Sequence, residues 1–294
     1  MATTFRRFIR ESEAPSMAEI RDRLVRECGE FMAQAHGLPA YRGINGVDDP
    51  WGQELHPHPS GRPPLSSSLG FVMMFNTMAE LGTGEKEMRS HTMFMTGSAR
   101  TARAYGKLYY VFPKGDIEFI WSPQIRDSYI NDRSTYAEVA DSVSRSLEAA
   151  GAKALIQPST IEIFFQTMNT RHGGNWMSHA DVEENCRTLF IEASDAKLRI
   201  PSAVKLFPII RAALHKTFDL HYRSTGLPAA LESFSEILVY KSEGYYALPI
   251  SSVVKAWAIH NGRNDLDDDD IEHWVRDVDR VTDAYEWFIK LGEK

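Results

Sequence analysis

The chain has few cysteines, no long apolar run and no excess of basic residues, and each absence excludes a class of protein. Its 294 residues include two cysteines, Cys28 and Cys186, too few for a disulfide framework, and we expect both to be free thiols. The longest uncharged apolar stretch, residues 70–75, is far shorter than the ~20 residues of a membrane-spanning helix. The net charge of −7 argues against nucleic-acid binding through bulk positive charge.

The common catalytic and cofactor motifs are also missing. No G-x-G-x-x-G follows a strand, the segment LGTGEKE lacks the spacing and the Ser/Thr of a P-loop, and H-E-x-x-H, G-x-S-x-G and C-x-x-C do not occur. The N-terminus has no long apolar region, so we predict neither a signal peptide nor a transmembrane segment. Isolated histidines without ligand spacing lead us to expect no metal, although a metal-dependent hydrolase that uses them stays open as a third function.

The apolar spacing predicts helices and strands in mixed order. Ser16 and Glu19 form a capping box before an amphipathic helix that continues to Ala35. A second amphipathic helix is predicted after the aspartates 267–270. Strands are predicted for the segments LPAYRGI, MFMTGS, KLYYVF, IEFIW, TIEIFF and SEILVYKSEGYYALPI. Because helices and strands do not alternate regularly, the pattern favours an α+β fold over a doubly wound parallel sheet.

Three separated pieces of the chain carry polar residues next to predicted strands. They are Tyr41-Arg42-Gly43, the segment FMTGS at residues 94–98, which is followed by Tyr105, and Ser235-Glu236 at the start of a late strand. In this order they resemble the arginine–serine–glutamate signature of the ADP-ribosyltransferases, the superfamily of NAD-using toxins and arginine transferases. Residues 94–123 and 235–249 look similar to members encoded by tailed bacteriophages. The resemblance covers residues 38–249, most of the chain.

The resemblance implies a fold and a domain order. The expected fold is an α+β, ADP-ribosyltransferase-like split β-sandwich of two small sheets flanked by helices, with amphipathic helices at both termini. The expected segments are an N-terminal helical segment at 1–37, the ADP-ribosyltransferase-like domain at 38–250, and a C-terminal helical segment at 251–294 that packs on it. NAD is the expected substrate, and no metal is expected.

The resemblance also assigns roles to single residues. Breaking the bond between nicotinamide and ribose builds positive charge on the ribose, and a glutamate that accepts a hydrogen bond from a ribose hydroxyl stabilises that charge; Glu236 has this position. A planar guanidinium suits a diphosphate. The expected catalytic residues are Glu236, Ser98 and Arg42, and the expected NAD-binding residues are Arg42, Gly43, Thr96, Ser98 and Tyr105.

The acceptor of ADP-ribose is less clearly specified. Many arginine-modifying members carry Glu or Gln two residues before the catalytic glutamate, whereas this chain has Phe234. We expect a macromolecular target in the host, a protein, with nucleic acid left open. The proline-rich stretch 45–68 is expected to shape the target contact. The expected location is the host cytoplasm or a phage particle. The alternative is a catalytically inactive phage particle protein that keeps the scaffold and contacts other particle proteins.

Overall fold

A computed structural model describes residues 15–45, 53–55, 69–125, 132–172, 182–193 and 198–292. These residues form two compact units. The first, the sheet unit, contains the described residues of 15–55, 92–125 and 224–292, and the second, the helical unit, contains those of 69–91 and 132–223. Most of the proline-rich stretch, residues 46–52 and 56–68, lies outside the described residues. The domain boundaries at 37 and 250 stay a prediction.

The described elements follow one another in mixed order, as an α+β chain should. The strands are β1 (Tyr41–Ile44), β2 (Gln53–Leu55), β3 (Met93–Thr96), β4 (Lys107–Pro113), β5 (Glu118–Trp121), β6 (Glu236–Lys241) and β7 (Tyr245–Pro249). The helices are α1 (Met17–Glu27), α2 (Gly29–Ala35), α3 (Leu69–Thr83), α4 (Met88–His91), α5 (Ala99–Arg103), α6 (Asp132–Ala149), α7 (Pro158–His172), α8 (Val182–Ala193), α9 (Leu206–His221), α10 (Leu227–Glu232), α11 (Ile250–His260), α12 (Asp268–Val275) and α13 (Val278–Lys290).

All seven strands join one antiparallel sheet in the order β2-β7-β4-β1-β3-β6-β5. Two halves are visible within it, because β1 pairs with β4 over four residues but with β3 only at Tyr41 and Thr96 in the described strands. The hydrogen bonding therefore gives one sheet, whereas the resemblance implied two small sheets. The halves, β2-β7-β4-β1 and β3-β6-β5, meet at the Tyr41–Thr96 pair, which we call the sheet joint.

Helices from both ends of the chain cover the four-stranded half of the sheet. The predicted capping box is confirmed, since the Glu19 amide donates to the Ser16 hydroxyl and the Ser16 amide donates to the Glu19 carboxylate. The Tyr110 hydroxyl on β4 donates to the Val281 carbonyl on α13 at 2.6 Å. The Tyr285 ring of α13 lies 4.9 Å from the Tyr110 ring. On the N-terminal side, the Phe31 ring of α2 lies 6.2 Å from the Phe112 ring of β4, so helices from both segments contact this half of the sheet.

Three element predictions were wrong in detail. The predicted N-terminal helix is interrupted at Cys28, which separates α1 from α2, and the predicted C-terminal helix is interrupted at residues 276–277, before Asp277 caps α13. The segment TIEIFF, predicted as a strand, lies inside helix α7. Its buried residues Ile161, Phe164, Phe165 and Met168 recur at helical spacing, whereas Ile163, which completed the alternating pattern, is half exposed.

The helical unit has an aromatic core of its own. Helix α3 packs against α7 and α9, and α7 packs against α8. The Phe164 ring of α7 lies 4.5 Å from the Phe190 ring of α8 and 5.3 Å from Phe165. All three side chains are fully buried. None of the helices in the part of the chain that the structure describes combines the length and the apolar character needed to cross a membrane.

Candidate functional site

The sheet joint brings the three separated sequence pieces together. Thr96, the last residue of β3, is the cross-strand partner of Tyr41 on β1 and also of Glu236, the first residue of β6. Adjacent strands lie about 5 Å apart, so these three backbone positions span roughly 10 Å. Arg42 follows Tyr41 directly. Residues separated by more than 50 positions at each step in the sequence thus become neighbours where the two halves of the sheet meet.

Arg42 pairs with no carboxylate among the residues that the structure describes. Its guanidinium carbon lies 5.3 Å from the centre of the buried Tyr245 ring on β7, a distance suited to a cation–π contact. Arg42 is half-buried, and it forms no ion pair with any residue the structure describes. A guanidinium is planar, and its N–H groups suit paired hydrogen bonds to an anion such as a diphosphate.

The hydroxyl of Thr96 holds the backbone around the joint. It donates to the Phe234 carbonyl at 3.2 Å and accepts from the Ser98 amide at 3.2 Å. The side chain is 7% exposed. The resemblance implies that this hydroxyl holds NAD, but its one proton is used on Phe234. In this geometry Thr96 connects the end of β3 to the segment that leads into Glu236.

Ser98 caps helix α5. Its hydroxyl accepts from the Thr101 amide at 3.1 Å and from the Thr101 hydroxyl at 3.0 Å, which satisfies one of the free amides at the helix start. Helix α5 packs directly on β1, since a Cβ on Gly43 would lie 2.0 Å from the Ala102 carbonyl oxygen. Tyr105, just after this helix, has its backbone beside Gly43 and is 47% exposed. Gly43 and Tyr105 therefore adjoin one another next to Arg42, with an aromatic side chain accessible to solvent.

Gly97 lies where the chain between Thr96 and Ser98 passes helix α10. A Cβ at this position would lie 1.8 Å from the Leu231 carbonyl oxygen. A glycine is therefore required here by the close approach of two backbones. A residue with a larger side chain, such as threonine, does not fit at this position without a shift of α10.

Glu236 is half-buried at the start of β6 and follows an unusual local conformation. Phe234, two residues earlier, has φ of 59° and is 51% exposed. A positive φ is strained for a bulky residue. Ser235 between them is fully buried. No role is predictable for Ser235 or Tyr245, because no local pattern shows that a serine next to a strand is buried or that a tyrosine from a distant strand lies near an arginine.

The described residues contain no cluster that resembles a metal site, since no three His, Cys, Asp or Glu side chains among them converge. No family model, curated protein or solved structure matches this chain. What the site can do must therefore be argued from its own residues.

Proposed function

We propose that the chain is an NAD-dependent mono-ADP-ribosyltransferase that modifies a macromolecular target, a protein of a bacterial host infected by a phage. The observation that carries the proposal is the double pairing of Thr96 with Tyr41 and Glu236, because it gathers the arginine, serine and glutamate pieces at one joint. The finer fold assignment, an ADP-ribosyltransferase-like scaffold, belongs to the same proposal. Its support is the division of the sheet into two halves that meet at a single residue pair.

The residues at the joint have the chemistry that NAD requires. The Arg42 guanidinium, which has no carboxylate partner in the described chain, would hold the diphosphate. Tyr105, half exposed beside Gly43, would offer a ring face to a planar base. NAD, when bound, supplies the ADP-ribosyl group and a nicotinamide leaving group. Glu236 would accept a hydrogen bond from a ribose hydroxyl and stabilise the positive charge that develops as the nicotinamide–ribose bond breaks.

A second candidate function is supported by the hydroxyls of the site. Thr96 donates to Phe234, and Ser98 caps α5, so both are used in the fold. A phage particle protein that keeps the scaffold without turnover would retain these structural bonds. Arg42 and Glu236 would then have no substrate. The two candidates differ in whether NAD binds and is consumed.

The test compares Glu236→Gln with the wild type and with Glu232→Gln. Glu232 is exposed at the end of α10, four residues before Glu236, so its substitution removes the same charge outside the joint. Each protein is incubated with tagged NAD and a bacterial lysate, and NAD affinity is measured separately. We expect Glu236→Gln to lower label transfer by about 100-fold or more with little change in NAD affinity, and Glu232→Gln to behave as the wild type.

Each other outcome has a distinct meaning. Undiminished transfer by Glu236→Gln would remove Glu236 from the site. Nicotinamide release without label transfer would indicate an active site whose acceptor is missing from the lysate. A wild type that neither binds nor consumes NAD would favour the inactive particle protein.

A further inference from the structure

Hydrogen bonds among three serines connect the segment just before Glu236 to the end of β5. The Ser235 hydroxyl lies 2.8 Å from the Ser122 carbonyl oxygen and 2.8 Å from the Ser233 hydroxyl. Ser235 is 0% exposed and Ser122 is 2% exposed, so water does not compete for these bonds. A buried hydroxyl must find a partner inside the protein. Ser235 finds one on each side.

The direction of the bond to Ser122 follows from its acceptor. The Ser122 carbonyl only accepts, so the Ser235 hydroxyl is the donor of that bond. Each hydroxyl has one proton, and the Ser233 hydroxyl also lies 2.9 Å from the Ala230 carbonyl oxygen, so the single Ser233 proton serves either that carbonyl or Ser235. Ser122 is itself fixed, because its hydroxyl accepts from the Gln124 amide at 3.2 Å and from the Ile125 amide at 3.0 Å. The acceptor of the Ser235 proton therefore belongs to a rigid turn at the end of β5.

The segment before Glu236 is held from the opposite side as well. Strand β6 lies between β3 and β5, and the Phe234 carbonyl accepts from Thr96 on β3 while Ser235 donates to the end of β5. Phe234 has a positive φ, a conformation that persists only where the surrounding structure holds it. The two hydrogen bonds, one to each neighbouring strand, stabilise this backbone conformation immediately before Glu236.

We propose that Ser235 is a positioning residue for Glu236, fixing where the glutamate backbone enters the sheet joint. The inference rests on the proposed function of Glu236. Ser235 does not contact substrate; it acts through the backbone of the next residue. A carboxylate that must meet a ribose hydroxyl depends on such placement, because a displacement of about 1 Å can cost about 100-fold in rate.

The experiment compares Ser235→Ala with Ser144→Ala in the full chain. The Ser144 hydroxyl of the helical unit donates to the Ala154 carbonyl at 2.8 Å, so its substitution removes the same type of bond elsewhere. Nicotinamide release from NAD is measured without acceptor, to give kcat and KM, together with thermal melting. Hydrogen exchange is followed over residues 233–239. We expect Ser235→Ala to lower kcat about tenfold or more, with KM within about twofold and faster exchange over that segment.

The control separates positioning from simple loss of stability. If Ser144→Ala has a melting temperature as low as that of Ser235→Ala and still keeps the wild-type kcat, the loss of kcat in Ser235→Ala is due to displacement of Glu236. Wild-type kcat in Ser235→Ala, or unchanged exchange over residues 233–239, would overturn the positioning role. A wild type that releases no nicotinamide would overturn the proposed function, and the exchange measurement would still decide whether Ser235 holds the backbone of Glu236.

Discussion

Glycines at two points of the sheet joint allow backbones to approach closer than any side chain permits. Gly43 lies under α5, and Gly97 lies against α10. The resemblance implied that Gly43 binds NAD. No pattern in the sequence explains Gly97, because the helix that it contacts is more than 120 residues later in the chain. Such a contact leaves no local trace in the sequence. Arg42 and Glu236, in contrast, were selected through the resemblance, from the order in which their motifs occur.

We predict that Gly97→Ala destabilises the protein by about 1–3 kcal/mol, because the added Cβ would lie 1.8 Å from the Leu231 carbonyl oxygen and α10 would have to move. The free energy of unfolding is measured by urea denaturation. The control is Gly29→Ala, at the first residue of α2, where nothing lies within 4 Å of the added atom. It should raise the stability by about 0.5 kcal/mol. Equal effects of the two substitutions would contradict the close approach at Gly97.

At the scale of elements, ion pairs connect the edge strand β2 to its neighbours. The Lys114 ammonium, just after β4, lies 2.7 Å from the Glu54 carboxylate on β2 and 3.4 Å from the Glu27 carboxylate on α1. The Tyr246 hydroxyl of β7 donates to Glu27, and the Arg23 guanidinium lies 3.2 Å from it. We call these five residues the edge network. It connects a three-residue strand to the sheet and to the first helix.

The edge network gives the stability a dependence on pH. Burial alone would raise the pKa of Glu27, but the Tyr246 hydroxyl and the charges of Arg23 and Lys114 outweigh it and hold the pKa below its ordinary value of 4.5. A carboxylate with a lowered pKa in the folded state stabilises the fold above its unfolded pKa, and this contribution is lost as the pH falls through the folded pKa. The loss therefore begins below a pH of about 4.5.

We predict that Glu27→Gln lowers the free energy of unfolding at pH 7 by about 1 kcal/mol and that the difference from the wild type disappears as the pH falls below 4.5. Urea denaturation over a range of pH measures both effects. Glu286→Gln is the control, since Glu286 pairs with the exposed Lys290 on the same helix and such exposed pairs contribute little. A difference that stays constant from pH 7 to acid pH would show that Glu27 is not stabilised as a carboxylate.

Element types were predictable wherever the local pattern extended over several turns or strand residues. The strands that form the joint, β1, β3 and β6, were predicted from the segments LPAYRGI, MFMTGS and SEILVYKSEGYYALPI. Helix α7 was not, because a six-residue window containing Ile161 and Ile163 has the period of a strand, whereas the buried set that continues to Met168 has the period of a helix. The breaks at Cys28 and Asp277 interrupt apolar faces that continue on the next helix, so periodicity alone did not show them.

At the scale of the whole molecule, the helical unit is built from two separate stretches of chain. One leaves the sheet unit after β2 and returns at β3, and the other leaves after β5 and returns before α10. Sequence patterns report local periodicity, but which distant helices share a core depends on contacts such as that of Phe164 with Phe190. This explains why the sequence indicated an α+β chain without indicating two units.

Each unit contains one buried cysteine, so the opening of each core can be measured separately from the reactivity of its thiol. Cys28 and Cys186 are free and 0% exposed, as the sequence predicted for core thiols. Burial raises the pKa of each thiol to about 12. Because the thiolate is the reactive form, both should react with a disulfide reagent only when their surroundings open. The Cys28 thiol donates to the Phe112 carbonyl in the sheet unit, and Cys186 is one helical turn from Phe190 in the helical unit.

We predict that Phe164→Ala makes Cys186 react on the order of a hundredfold faster, because the cavity costs about 3–5 kcal/mol and removes the ring that contacts Phe190. Phe288→Ala is the counterpart in the sheet unit, where the Phe288 ring lies 6.5 Å from that of Phe112, and it should accelerate Cys28. Labelling at each cysteine is followed by mass spectrometry of its peptide. If Cys186 of the wild type reacted as fast in buffer as in concentrated urea, the buried position of the thiol would be wrong. Slow labelling of Cys186 in the wild type and fast labelling in Phe164→Ala would show that the aromatic core of the helical unit protects the thiol.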